Sequence, residues 1–169
     1  MMFRNRSKTL IASVAAVPLA ALAVAGCGGS SGSVSPPKTK DGRLATIGVA
    51  NESVGNILVN SQGRTLYLFQ RDTGATSECS GACAANWPPA RAKTAPTVGS
   101  GANASLLGSK MRPDGTRQVT YNNHPLYLFV KDTKAGDTNG EGVSAFGGLW
   151  YAVSPSGNQV VASTSGGGY

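Results

Sequence analysis

Short apolar runs, separated by polar stretches rich in glycine, proline and asparagine, cover most of the chain, and long helical periodicity is absent. Runs of this kind predict β-strands. In the first half they are Leu44–Ala50, Asn56–Asn60 and Arg64–Gln70; in the second, Leu106–Arg112, Gln118–Tyr121 and Pro125–Val130. Leu149–Ser154 and Gln159–Ser163 follow. The intervening residues suit hairpins. Ser61-Gln62-Gly63 places glycine where a positive φ is needed, Pro113-Asp114-Gly115 is a strong turn signal, and Asn122-Asn123 turns the chain into Pro125. Pro155-Ser156-Gly157 closes the last hairpin. One short helical turn is expected from Ser80 to Trp87, stopped by Pro88-Pro89.

One of these strands occurs twice. Leu66-Tyr67-Leu68-Phe69-Gln70-Arg71-Asp72 returns sixty residues later as Leu126-Tyr127-Leu128-Phe129-Val130-Lys131-Asp132, and each copy is followed by a threonine. Side chains alternate across a strand, so Tyr67 and Phe69 point one way and Leu66 and Leu68 the other; the second copy does the same. A strand that is apolar on both faces belongs inside a structure rather than at a solvated edge. The expected fold is all-β: a compact antiparallel domain built from two similar repeats packed together face to face about a pseudo-twofold axis. Each repeat would be marginal alone.

The N-terminus has a different pattern. Arg4, Arg6 and Lys8 precede an apolar run from Leu10 to Ala25, too short to span a bilayer as a helix. The run ends in Val24-Ala25-Gly26-Cys27, which looks like a bacterial lipobox and makes Cys27 the lipidation site. Two or three acyl chains of the palmitate kind, at about 0.8 kcal/mol per buried methylene, would hold the mature chain firmly on a membrane. The expected organisation is a signal peptide at 1–26, a lipidated cysteine with flexible linker at 27–43, a double-repeat domain at 44–163 and a flexible tail at 164–169. Repeat one is expected at 44–90 and repeat two at 105–154.

Charge and cysteine usage agree with export. Removal of the leader lowers the net charge from +7 to near +4, with dispersed Lys and Arg. Nucleic acid is therefore not an expected partner; attraction to anionic lipid or wall polymer is more natural. Lipidation uses Cys27 and leaves Cys79 and Cys83, which an oxidising compartment would join. If they sit one helical turn apart they face the same way. Two other roles stay open for the pair. With His124, the only histidine, they make a formal Cys2His copper set; a redox role lacks the usual Cys-x-x-Cys spacing.

The tandem Tyr-x-Phe-x-x-Asp on a lipoprotein-like chain resembles the bacterial secreted-repeat lipoproteins, defined by a Tyr-x-[Phe/Trp/Tyr]-x-x-Asp motif. Further matches are Gly63-Arg64-Thr65-Leu66, Cys79…Cys83…Trp87-Pro88-Pro89, Pro125-Leu126 and Trp150-Tyr151. The resemblance covers about residues 44–154 and implies a lipid-anchored protein outside the cytoplasm; that family has no established reaction. It marks Tyr67, Phe69, Asp72, Trp87, Tyr127, Phe129, Asp132 and Trp150 as the repeat motif, structural or binding.

For Asp72 and Asp132, the expected role is to cap the loops that leave each strand, with the tyrosine hydroxyls reaching a carboxylate or carbonyl. A ligand or acid/base role is the alternative, though no nucleophile or base is apparent beside either. Asp137-Thr138-Asn139-Gly140-Glu141-Gly142 looks partly like a calcium loop, but Gly148 stands where a bidentate Glu is required, and a glycine-rich surface loop is expected instead. His124 before Pro125 reads as a turn residue. The expectation is a monomeric, non-enzymatic binding or scaffolding protein with no cofactor, its partner an envelope polymer or protein. The alternative is copper or redox handling through Cys79, Cys83 and His124.

Overall fold

The computed structural model describes residues 36–38 and 46–160, which belong to a compact unit spanning Ser33–Tyr169. The segments expected to be a signal peptide and tail, Cys27 and most of the expected linker lie outside the described residues. Among the described residues, eight short strands and one α-helical turn are laid down in order: β1 (Ile47–Glu52), β2 (Gly55–Asn60), β3 (Tyr67–Phe69), α1 (Ala82–Asn86), β4 (Leu107–Met111), β5 (Arg117–Tyr121), β6 (His124–Pro125), β7 (Val143–Ala145) and β8 (Gly148–Ala152). A 3₁₀ turn at Ala104–Leu106 leads into β4. They form three small antiparallel sheets: β1-β2, β3-β8-β7 and β4-β5-β6.

The expected turns carry the expected backbone. Gly63 and Gly115 have φ of 75° and 76°, and Asn122 and Asn123 both sit at positive φ, 47° and 63°, between β5 and β6. Asparagine tolerates that region better than most residues. The motif strands are shorter than their apolar runs suggest. Only Tyr67–Phe69 is a continuous strand in repeat one, and in repeat two Tyr127 is held by isolated bridges to Tyr67 and Pro89. β7 follows a stretch with no alternating pattern and was not foreseen.

The repeats are packed together more deeply than face to face. β3 of the first repeat pairs with β8 of the second, Phe69 opposite Trp150. The strand of the second motif pairs with the Trp87-Pro88-Pro89 segment of the first: Leu128 N–H donates to Pro88 O and Ala90 N–H to Leu126 O, both at 2.8 Å. Each repeat therefore gives its tryptophan-bearing strand to the other.

A closed triangle of backbone bonds occurs twice and fixes the equivalence. Leu66 N–H donates to Leu58, Leu58 to Val153 and Val153 to Leu66; Leu126 donates to Val119, Val119 to Ala90 and Ala90 to Leu126.

Two apolar clusters result, and the alternation of the motif strand decides which side chain joins which. Tyr67, Phe69, Tyr127 and Phe129 enter one cluster with Trp87, Trp150 and both cysteines. Leu66, Leu68 and Leu126 enter the other with Ile47, Leu58, Val119 and Tyr121. In the first, Phe69, Trp150, Trp87 and Phe129 form a continuous stack with ring centroids 4.0, 4.0 and 4.1 Å apart. Tyr67 stands edge-on to Trp87 and Tyr127 edge-on to Trp150.

Phe69 and Phe129 end this shared stack, so Phe→Ala at either should cost about 3–5 kcal/mol, the usual range for a buried aromatic. That is a large part of the about 5–15 kcal/mol that stabilises a typical domain. Because strands are exchanged, calorimetry of either variant should show one lowered transition. Two separate transitions would mean that the repeats fold independently.

Candidate functional site

The repeat motif converges on the point where the two halves meet. Tyr67 N–H donates to Tyr127 O and Tyr127 N–H to Tyr67 O, each at 2.9 Å, so the pseudo-twofold axis passes between these residues. Their hydroxyls diverge to opposite ends of the interface and cross between repeats. Tyr67 Oη donates to Asp132 Oδ2 at 2.6 Å, and Tyr127 Oη donates to Asp72 Oδ2 at 2.7 Å. Each motif tyrosine is thus bonded to the aspartate of the other motif.

The second oxygen of each carboxylate holds the loop that follows. Asp72 Oδ1 accepts from Glu78 N–H at 2.8 Å and Asp132 Oδ1 accepts from Asn139 N–H at 2.9 Å. Asn139 Nδ2 also donates to Asp132 Oδ1. The aspartates are reached by tight turns in which their own N–H groups donate to Phe69 O and Phe129 O. Each therefore ties its own loop and the partner tyrosine together.

The two ends differ in detail. Asp132 is enclosed, whereas Asp72 is only half-buried and borders a shallow cleft of about 250 Å³ with Phe69, His124 and Gln159. At the Asp72 end a second network gathers. Tyr127 Oη lies 2.7 Å from Ser77 Oγ, and Arg112 Nη1 donates to Ser77 Oγ and to Gln118 Oε1 while Nη2 donates to Cys79 O. At the Asp132 end Gly140 N–H donates to Tyr67 Oη. A Cβ at Gly140 would come within 2.8 Å of the Tyr67 ring and 2.9 Å of Trp87, so only glycine fits there.

Burial governs the protonation of the site. It pushes the Asp72 carboxyl up to about 6, against the hydrogen bonds from Glu78 N–H and Tyr127 that favour the anion. Burial likewise raises Asp132 above the ordinary carboxylate range, and both tyrosines are raised by burial and by the carboxylate each faces. His124 is lowered by burial. The phenol beside each carboxyl is raised above its ordinary range, so it keeps its proton and donates the hydrogen bond. Here both oxygens of each carboxylate already accept hydrogen bonds from the fold.

Cys79 and Cys83 are joined in a disulfide with Cα atoms 5.3 Å apart, Cys83 lying on α1. Both thiols are consumed, so the Cys2His set with His124 is not assembled. Among the described residues no group of three or more His, Cys, Asp or Glu has a metal-holding arrangement. His124 lies in β6, opposite Tyr121 at the end of the Asn122-Asn123 turn. In the calcium-like loop, Asp137 Oδ2 is occupied by the N–H groups of Thr133 and Lys134, which makes it a turn cap. Ser77, Arg112 and Gln118 had no sequence signal, since none belongs to the repeated heptapeptide, and Asn139 stood out only within the calcium-like segment. Gly140 had a faint one: the post-motif loop of repeat two holds it near the place taken by Cys79 in repeat one.

The carboxylate bonds make distinct predictions. Tyr67→Phe should cost about 2–3 kcal/mol, because the enclosed Asp132 loses its phenol donor. Asp132→Asn should cost about 1–3 kcal/mol, since an amide donating to Tyr67 Oη leaves the phenol proton without its acceptor. Asp72→Asn should cost less, because the Tyr127 proton can turn to Ser77 Oγ. Denaturant unfolding ranks the three variants.

The pH response follows from the same groups. A carboxyl raised on folding contributes stability that is complete below about pH 4 and lost as pH rises through about 6. Asp72 dominates this window, and Asp132 and Glu141, also raised by burial, act in the same direction. His124, lowered by burial, opposes this within the same window, but the two carboxylates and Glu141 outnumber the single imidazole. Asp114 and Asp137, lowered first by the Thr116 side-chain and Lys134 backbone hydrogen bonds respectively, oppose it as the pH falls further. The melting temperature should rise between about pH 7.5 and about pH 5. Asp72→Asn should flatten that rise, and an unchanged slope would show that another group carries it.

A family model described as a secreted repeat of unknown function matches residues 48–91 and 108–154. The matches begin at Gly48 and Gly108, equivalent positions of β1 and β4, and each ends just beyond its exchanged tryptophan strand. Neither a curated protein nor a solved structure matches the chain. The two matches take in more than half of its length and point to a location outside the cytoplasm. The chain belongs to this family of secreted repeats of unknown function.

Proposed function

We propose that this protein is a lipid-anchored, non-enzymatic binding or scaffolding domain on the outer side of a bacterial membrane. The observation that carries the non-enzymatic reading is the crossed pairing of Tyr67 with Asp132 and Tyr127 with Asp72. It spends the motif's polar groups on joining the two repeats, so the motif acts as architecture. Binding is then left to the outward surface. The anchor rests on the basic leader, the short apolar run and the lipobox ending in Cys27. The linker sequence, rich in glycine and serine, has the composition of a tether reaching about 20 Å. It keeps the domain close to the surface on which it acts.

Two experiments test the reading. Cys27→Ser should abolish incorporation of labelled palmitate and leave the precursor uncleaved. Wild-type protein partitioning into the aqueous phase of a detergent extraction would overturn the anchor. Asp72→Asn, which folds on the argument above, should complement a deletion of its own gene. Failure to complement at an undiminished melting temperature would give the carboxylate a chemical role and overturn the non-enzymatic reading.

A further inference from the structure

The pseudo-twofold allows the two halves to be compared position by position, and one buried position differs sharply. Register sets Ile47 opposite Asn60 across β1-β2 and Leu107 opposite Tyr121 across β4-β5, so Asn60 and Tyr121 are equivalent. In repeat two the Tyr121 ring is fully buried. Its hydroxyl accepts from Asn103 N–H at 2.8 Å and donates to Pro155 O at 2.9 Å. The backbone triangles equate Val153 with Ala90, and hence Pro155 with Ala92.

Repeat one has no ring at this place. Asn60 is short, and its Oδ1 is turned to the N–H groups of Gln62 and Arg64, both at 2.9 Å, where it caps the β2-to-β3 turn. The space that Tyr121 fills in one half corresponds to a cleft of about 310 Å³ in the other. Buried Ile47, Leu66 and Val119 line it, and so does Ala92, the counterpart of the residue that receives the Tyr121 hydroxyl. The rim changes as well. Where repeat two has neutral Ser154 and Ser156, repeat one presents Arg91 and Lys93. Arg91 meets only Asp114, at 3.8 Å and with both side chains well exposed, while Lys93 has no ion pair among the described residues. A cleft of this size is at the small end of ligand sites, which are typically apolar with a few placed polar groups.

We propose that this cleft binds a small ring-bearing anion, its planar ring lying against Ile47, Leu66 and Val119 where repeat two has Tyr121, and its charge meeting Arg91 and Lys93. This gives the binding domain a ligand class and rests on that reading. The anchor is read by detergent partition and the cleft by titration, so the two can fail separately.

Every described core residue and the disulfide lie within Ser33–Tyr169, so that unit contains its own core and can be used in soluble form. Naphthalenesulfonate titrated into it should shift the amide resonances of Ile47, Ala92 and Lys93 saturably. Asn60→Tyr, which supplies the missing ring, should weaken binding by about tenfold or more, and Arg91→Gln with Lys93→Gln should weaken the sulfonate by about tenfold but naphthol little. If Asn60→Tyr does not fold, Ala92→Leu on the cleft wall must produce the same loss. Shifts that do not saturate, or affinity unchanged when the cleft is filled, would overturn the site. Equal losses for naphthol and the sulfonate in the charge variant would overturn the anionic assignment.

Discussion

The reciprocal contact between Tyr67 and Tyr127 is the constraint from which the rest of the fold follows. Two backbone hydrogen bonds between the same two residues fix the separation and antiparallel direction of the motif strands. With the strands set, the phenols can only leave in opposite directions, and each arrives at the carboxylate that ends the other motif. The same geometry brings Phe69 to Trp150 and Phe129 to Trp87, and lets the two indoles stack on each other at the centre. Aromatic pairs of this kind add about 0.5–1.5 kcal/mol each beyond the area they bury. A single repeat would leave a phenol, a carboxylate and a tryptophan strand without partners. The unit of folding is therefore the pair.

Much of this was legible in the chain, for definite reasons. The alternation Leu-Tyr-Leu-Phe assigns side chains to two faces whatever the tertiary fold, and the two apolar clusters divide along that line. Hairpin turns are readable because only glycine and asparagine accept their backbone angles cheaply, as at Gly63, Gly115 and Asn123. Strand exchange was not legible. The signal for it lies in the pairing of Phe69 with Trp150 and of Leu128 with Pro88, contacts across long stretches of chain that no local pattern encodes. Ser77 and Arg112 escaped notice for the same reason. Their role is set by the loop and hairpin that meet there.

Departures from symmetry mark where the two copies have been put to different use. Pro89 has no N–H to offer, while its counterpart Ala152 does, and Glu141 Oε2 accepts that hydrogen at 2.7 Å. The register of β1-β2 and β4-β5 equates Glu52 with Arg112. Arg112 clasps the post-motif loop of repeat one through Ser77 and Cys79, while Glu52 lies against Gly136 in the post-motif loop of repeat two. The hairpin of each repeat thus reaches the loop of the other with opposite charge, Arg112 through hydrogen bonds and Glu52 through contact alone. The disulfide secures only the first of these loops; in the second, Gly140 allows the close approach to Tyr67 and Trp87.

Burying two phenols, with one carboxylate enclosed and the other half-buried, costs desolvation, visible in the raised Asp132 and Asp72. Apolar residues would avoid that cost, but would not distinguish one register from the next. A slip of one residue between Tyr67 and Tyr127 would turn the tyrosine and phenylalanine of one motif toward the leucine cluster. It would also strand both carboxylates without their donors. The penalty falls on both halves at once because the bonds are crossed. Buried polar pairs contribute little net stability when made and cost several kcal/mol when broken, on the order of 3–5 for a buried ion pair. In a domain held together by apolar stacking, that difference makes the crossed bonds a means of choosing the register. The motif repeats Tyr and Asp together because neither can choose it alone.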